Sequence, residues 1–173
     1  MGAKQRTIKK EISFQGKGIH SGKMVRVVLQ PAPESSGILF SRSDINPLER
    51  IPATVENASR DHDRQTSIGN QRWTVRTVEH LLAALHGLGL DNLFVEVLGE
   101  ELPALDGSAK NYAEEMTKTG FREQNADREY IEVTMPIYFQ EQDTSLVVLP
   151  SRELSLCYML NYRHPDLSDQ FFS

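Results

Sequence analysis

The first third of this 173-residue chain consists mainly of short stretches in which apolar and polar residues alternate. This period of two predicts half-buried β-strands. In chain order the predicted strands are Thr7–Phe14, Met24–Leu29, Gly37–Arg42, Ile51–Val55 and Thr66–Ile68. The first two flank the glycine-rich segment QGKGIHSGK. Together they predict a β-hairpin with a long and irregular connection.

A helical period replaces the alternation in the segment TVEHLLAALHGLGLDN. Its apolar residues recur at i, i+3, i+4 and i+7 and form one stripe, made of Val78, Leu81, Leu82 and Leu85. Thr77 or Thr74 is the expected N-cap, and Gly87 or Gly89 the expected terminator. We therefore predict an amphipathic helix with its stripe against a core.

A strand at Asn92–Leu98 and a second helix complete the first part of the chain. Asp106 or Ser108 is the expected cap of this helix, and Gly120 closes it. The composition then turns polar at Gln124–Arg128, which marks a boundary. We predict a first domain over 1–125 and a second over 126–173.

The second part contains three strand-like stretches, EYIEVTMPIYF, TSLVVLP and LSLCYMLNY. Their order resembles the first hairpin, since proline closes a strand at Pro31 and again at Pro150. The predicted fold class is α+β: a two-layer unit of sheet plus helices, the first of two similar domains, with the second truncated after its opening strands. A sheet whose apolar face no helix covers is not a complete α+β domain. We expect the chain to be a fragment of a longer protein.

Composition narrows the possible functions. The net charge of −5 argues against nucleic acid as a partner. The sequence contains no run of about 18 apolar residues, which is the length that a transmembrane helix needs. The N-terminal segment lacks the apolar stretch of a secretory signal. Cys157 is the sole cysteine and lies in an apolar stretch, so a buried thiol in a reducing cytoplasm is expected.

Glu79 and His80 are adjacent in the first turn of the predicted first helix. A helix start favours an ionised carboxylate and a neutral imidazole. This pair suits a base that activates water beside a metal ligand. An ordinary solvated helix face would also carry such a pair, and the spacing alone leaves both interpretations open. His86 is at the wrong spacing to join His80, so the residues show no complete metal site.

Three further segments carry candidate chemistry. His20 lies in a glycine-rich turn, where it either meets a ligand or bonds to backbone carbonyls. The edge at Arg64 and Thr66 is a candidate substrate contact. Asp61, His62 and Asp63 could ligate a metal, but their position between arginines also fits a charged surface turn. Asp106 is interpreted as a turn and cap residue.

Three motifs occur in order: GIHSGK at 18–23, TVEHLLAALHGLGLDN at 77–92 and LPALDGSA at 102–109. Together they resemble UDP-3-O-acyl-N-acetylglucosamine deacetylase, the zinc enzyme of lipid A biosynthesis. The resemblance implies two α+β domains with helices between two sheets. It implies that His80 ligates Zn²⁺ and that Glu79 is the general base. In this family a His-Lys-x-x-Asp helix supplies two further zinc ligands, and a later histidine acts as the general acid. This sequence contains none of these residues.

The first hypothesis is therefore a zinc-dependent amide hydrolase that releases acetate from a UDP-linked, acylated glucosamine. It would work in the cytoplasm near the inner face of the membrane, with the remainder of the second domain as partner. This chain alone is expected to be inactive. The alternative is a catalytically empty binding or assembly module of the same fold. A third interpretation is a fragment that dimerises through exposed strand edges.

Overall fold

The computed structural model describes residues 2–59, 65–162, 164, 166 and 169–173. The chain divides into two compact units, Met1–Arg128 and Glu129–Ser173. In the first unit a five-stranded sheet and two helices share one apolar core. This arrangement of sheet and helices is an α+β fold, as predicted.

The first unit contains the following elements in chain order: β1 (Lys4–Ile8), β2 (Ile12–Lys17), β3 (Met24–Pro31), β4 (Ile38–Arg42), β5 (Asn46–Pro52), β6 (Ala58–Ser59), β7 (Ser67–Gly69), β8 (Thr74–Arg76), α1 (Glu79–Gly87), β9 (Leu93–Leu98), α2 (Lys110–Thr119) and β10 (Phe121–Asp127). The main sheet has the order β2-β3-β9-β4-β5, and β4 and β9 run parallel. A smaller sheet, β6-β7-β8, leads directly into α1.

The core lies between one face of the main sheet and the two helices. Alternate strand residues are buried, including Phe14, Val27, Leu29, Phe40, Val95 and Val97. The helices contribute Leu81, Leu85, Tyr112 and Met116. The rings of Phe14 and Tyr112 meet edge to face, with centroids 4.8 Å apart. Each such side chain stabilises the fold by about 1.5–3 kcal/mol through burial.

The C-terminal end of α1 follows the predicted glycine signal. Gly89 adopts a positive φ of 64° immediately after the last turn. The N–H of Leu90 donates to the carbonyl of Leu85, and the N–H of Gly89 to that of His86. This pair of bonds is a Schellman motif, which satisfies carbonyls that the helix leaves free. α2 likewise ends at Gly120, as predicted.

The hairpin of β2 and β3 was predicted correctly, but two strand predictions were wrong. Thr7–Phe14 is not one strand, because the chain breaks between β1 and β2 and β1 pairs with β10 instead. The strand predicted at Ile51–Val55 lies earlier, as β5, since Ile51 pairs with Phe40. Val55 starts a short 3₁₀ turn.

The polar segment predicted as a boundary belongs largely to β10. Asp127 is the last residue of this strand, and Arg128 ends the first unit. The guanidinium of Arg128 donates to both carboxylate oxygens of Asp91 at 2.8 Å. The division between the two compact units lies after Arg128. The domain bounds 1–125 and 126–173 stay a prediction. That 126–173 begins a second α+β domain stays a prediction.

The described residues of the second unit form two hairpins. They are formed by β11 (Ile137–Glu141) with β12 (Thr144–Val148), and by β13 (Tyr158–Leu160) with β14 (Gln170–Phe172). Its large apolar side chains are exposed, for example Ile137 and Leu146. Cys157 is also exposed, so its predicted burial was wrong: no helix among the described residues of this unit covers the strands.

Candidate functional site

Glu79 and His80 form the first turn of α1 and are partly exposed. Their side chains are 37% and 35% accessible, and Oε1 of Glu79 lies 3.7 Å from Nε2 of His80. Val78 and Leu81 on either side of them are fully buried. The carboxylate and the imidazole therefore lie at the border of the core, where a ligand can reach both.

Thr66 fixes the start of α1. Its N–H donates to Oε2 of Glu79 at 3.1 Å, and its carbonyl accepts the N–H of Val78 at 3.2 Å. One residue thus holds both the backbone at the helix start and one oxygen of the carboxylate. The other oxygen, Oε1, is the one that lies near the imidazole.

Neither threonine predicted as the N-cap serves as one. Thr74 lies in β8, and Val78 occupies the cap position without a side-chain bond. Thr77 adopts a left-handed backbone with φ of 58°, which is rare for a β-branched residue. Its hydroxyl donates to Oε1 of Glu101 at 3.1 Å and accepts no N–H of the helix. A tertiary contact has therefore replaced the expected local cap.

Glu101 is a site residue that the sequence reasoning missed. Its side chain is fully buried, and its carboxylate accepts the N–H groups of His20 and Ser21, each at 2.9 Å. Burial raises the pKa of this carboxyl, but the bonds from His20, Ser21 and Thr77 outweigh burial and lower the pKa below its ordinary 4.5. Glu101 is therefore a buried, ionised carboxylate. Its only signal in the sequence was the pair Glu100–Glu101 directly after a strand.

The glycine-rich turn of His20 is closed by its own backbone and by Glu101. The N–H of Gly18 donates to the carbonyl of Lys23, and that of Gly22 to the carbonyl of Gly18. A Cβ at Gly18 would collide with Oε2 of Glu101. The side chain of His20 is exposed. The structure thus connects His20 to the helix start through Glu101.

The remaining predicted residues have mixed outcomes. Thr66 lies beside Glu79, as described above. Arg64 lies outside the described residues, as do Asp61, His62 and Asp63. Ala84, in the second turn of α1, is buried. The reason is its position one turn after Leu81, where it extends the buried stripe.

The residues near His80 fit zinc in part. A partly exposed imidazole is a suitable ligand, and a neighbouring carboxylate is a suitable base. A catalytic zinc ordinarily needs three protein ligands. Over 2–59, 65–162 and the shorter described stretches, no group of three His, Cys, Asp or Glu side chains could hold a metal ion. The described part of the chain therefore holds no complete ligand set for a catalytic zinc.

Comparison with known proteins identifies the family of this chain. The sequence model of the family UDP-3-O-acyl N-acetylglycosamine deacetylase matches residues 5–173. The chain belongs to this deacetylase family. A relative from Legionella pneumophila (strain Corby), named UDP-3-O-acyl-N-acetylglucosamine deacetylase, is 39% identical over 167 residues, which cover 96% of this chain and 55% of the relative.

Two further members of the deacetylase family are similarly close. The relative from Saccharophagus degradans is 40% identical over 162 residues, covering 94% of this chain and 53% of that protein. The relative from Coxiella burnetii (strain Dugway 5J108-111) is 38% identical over 162 residues, which also cover 94% of this chain and 53% of that protein. The chain thus spans about half the length of the curated relatives it matches. Within its described part, no helix is long and apolar enough to cross a bilayer.

Proposed function

We propose that this chain carries the Glu79–His80 half of a zinc-dependent deacetylase. The substrate is a UDP-linked, acylated N-acetylglucosamine, and the products are the free amine and acetate. The observation that carries the proposal is the adjacent carboxylate and imidazole, 3.7 Å apart and partly exposed at a helix start. Membership of the deacetylase family supports this choice of amide.

The bonding of Glu79 suits a general base. Oε2 already accepts the N–H of Thr66, so the carboxylate is oriented before a substrate arrives. Oε1 is then the oxygen that takes the proton of the attacking water. Zinc bound by His80 would polarise the acetamide carbonyl and make that water more acidic. Preorganised groups of this kind contribute because they need no rearrangement during the reaction.

Three residues are proposed as substrate contacts. Thr66 lies directly beside the base, and His20 presents an exposed imidazole from the turn that Glu101 holds. Arg64 carries a guanidinium, which suits the diphosphate of a UDP sugar. It precedes Thr66 by two positions in the sequence. We further propose that the reaction takes place in the cytoplasm near the inner face of the membrane.

The two missing zinc ligands and the catalytic acid are proposed to lie outside this sequence. The 173-residue chain should then bind zinc weakly and release no acetate. Acetate release by the purified chain alone would contradict this part of the proposal.

Substitutions in the intact protein test the proposal. Glu79→Gln keeps the shape of the side chain, and it should lower deacetylation by about 10²–10⁴-fold with the zinc content unchanged. His80→Ala should lose both zinc and turnover. His86→Ala is the matched control, since His86 is exposed in the last turn of the same helix. Full turnover in Glu79→Gln, or full zinc content in His80→Ala, would overturn the proposal.

The incomplete ligand set among the described residues also favours a second candidate, a catalytically empty binding module. The two candidates differ in one measurement. A module binds the UDP sugar without releasing acetate even in the intact, zinc-loaded protein. The enzyme releases acetate, and Glu79→Gln stops it.

A further inference from the structure

Glu101 joins two segments that lie far apart in sequence. On one side its carboxylate accepts the N–H groups of His20 and Ser21, and on the other it accepts the hydroxyl of Thr77. Two residues separate Thr77 from His80 in the sequence. A single buried carboxylate is therefore bonded to the turn of His20 and to the entrance of α1.

We infer that Glu101 is a positioning residue, which holds the glycine-rich turn of His20 and the start of the Glu79–His80 helix in one fixed arrangement. This inference deepens the proposed function and rests on it for the role of the site. The positioning itself rests on the bonds of Glu101 alone.

The backbone of Thr77 needs such a support. A β-branched residue at φ of 58° is strained by about 1–3 kcal/mol and persists only where its surroundings determine it. Thr77 is 4% exposed, so its hydroxyl has to find a partner inside the protein. Its shorter bond is the one to Oε1 of Glu101, at 3.1 Å, and Oε1 of Gln65 also accepts it at 3.4 Å. The backbones next to Glu101 and Thr77 are also bonded to each other, because the N–H of Leu102 donates to the carbonyl of Arg76.

The position requires a carboxylate. Both oxygens of Glu101 accept N–H groups, Oε1 from His20 and Oε2 from Ser21. A glutamine has the same shape, but it offers one acceptor oxygen and points an NH₂ donor at one of the two N–H groups. One backbone donor is then left without a partner in a buried place. Glu101→Gln therefore breaks the arrangement without changing the size of the side chain.

Glu100 provides a matched control in the adjacent position. Its side chain is 43% exposed and pairs with Lys23 and Arg76 at 3.3 and 3.0 Å. Glu100→Gln removes the same charge beside the same turn. It leaves the bonds of Glu101 to His20, Ser21 and Thr77 in place. A difference between the two variants therefore reports the bonds of Glu101 and not the lost charge.

Hydrogen exchange of the intact protein, read by mass spectrometry, tests the inference. Glu101→Gln should accelerate exchange by about tenfold or more in both segments, 17–24 and 76–82, because a broken bond frees both to open. Glu100→Gln should match the wild type in both. Acceleration in only one segment, in neither, or equally in the Glu100→Gln control would overturn the inference.

If Glu101→Gln fails to fold, Thr77→Val provides a second test of the inference. Valine keeps the branched shape and removes only the hydroxyl, and Thr77→Ser restores that hydroxyl as the conservative control. Thr77→Val should accelerate exchange in the distant segment 17–24, and Thr77→Ser should not. An unchanged segment 17–24 in Thr77→Val would overturn the inference.

A metal titration separates positioning from mere stability. In folded protein, Glu101→Gln should weaken zinc binding in competition with a chelator by about tenfold, whereas loss of folded protein alone leaves the affinity unchanged. Equal zinc affinity in the variant and the wild type would contradict positioning of His80. Hydrogen exchange does not depend on turnover. If the intact wild type releases no acetate, the proposed function is refuted, and the exchange experiment still decides whether Glu101 positions the two segments.

Discussion

The N–H of Thr66 donates to Oε2 of Glu79 at 3.1 Å, across thirteen positions of sequence. The proposed base is thus oriented by a backbone group from the segment before β7, and not by a side chain of its own helix. We propose that the hydroxyl of Thr66, a separate group, contacts the substrate. Backbone and side chain at this position therefore have separable roles.

Two substitutions at Thr66 distinguish these roles. Thr66→Pro removes the N–H, and it should lower kcat of the intact enzyme by about tenfold or more, because a hydrogen bond to a charged group contributes about 1.5–3 kcal/mol. Thr66→Ala keeps the N–H and should raise KM with little change in kcat. Steady-state kinetics with the UDP-linked substrate measures both. Equal kinetics for the two variants would contradict separate roles.

Gly18 should be intolerant of even one methyl group. A Cβ there would collide with Oε2 of Glu101 and lie 2.5 Å from Oγ of Ser21. Gly18→Ala should lower the free energy of unfolding by about 1–3 kcal/mol, measured by urea denaturation. Gly87→Ala is the control, since Gly87 ends α1 and an added Cβ would have no close contact beyond its chain neighbours and the helix backbone. It should be neutral or stabilise by up to about 1 kcal/mol. A fully stable Gly18→Ala would refute the predicted clash.

The charge on Glu101 makes part of the stability depend on pH. Its folded-state pKa lies below the ordinary 4.5, so the unfolded chain binds this proton more tightly than the folded protein does. The ionised group stabilises the fold above pH 4.5, and this contribution is lost as the pH falls from there through the lowered pKa. Wild type should therefore exceed Glu101→Gln in stability at neutral pH, and the difference should narrow in acid.

Urea unfolding of the two proteins from about pH 7 down to about pH 3.5 checks this prediction. A difference in the free energy of unfolding that stays constant over this range would show that protonation of Glu101 does not affect the fold.

Some elements could be predicted because their signal is local. In the predicted stripe, Val78, Leu81 and Leu85 are buried and Leu82 is partly buried against the core. Gly89 ends the helix at a positive φ that glycine adopts readily. The pair Glu79 and His80 was likewise found from the sequence, because neighbours in one helical turn stay together whatever the rest of the chain does. Their chemical roles stay a proposal.

Other elements gave no local signal. β10 has the sequence FREQNAD, which lacks apolar alternation, and it becomes a strand because β1 pairs with it. Thr77 has the propensity of a cap, but its hydroxyl bonds to Glu101. Glu101 was indistinguishable from any other strand-end carboxylate, because each partner of its side chain comes from a distant segment.

The amino-acid order alone determined the α+β class, the helix with its Glu-His pair and the motifs of the deacetylase family, since these depend on periodicity and on residues close together in the chain. Only the tertiary structure decided what holds that pair in place: the N–H of Thr66 on Glu79, and the buried carboxylate of Glu101 between His20 and Thr77. The physical reason is that a buried polar group takes whichever partner folding brings within hydrogen-bond distance, and sequence separation does not limit that choice.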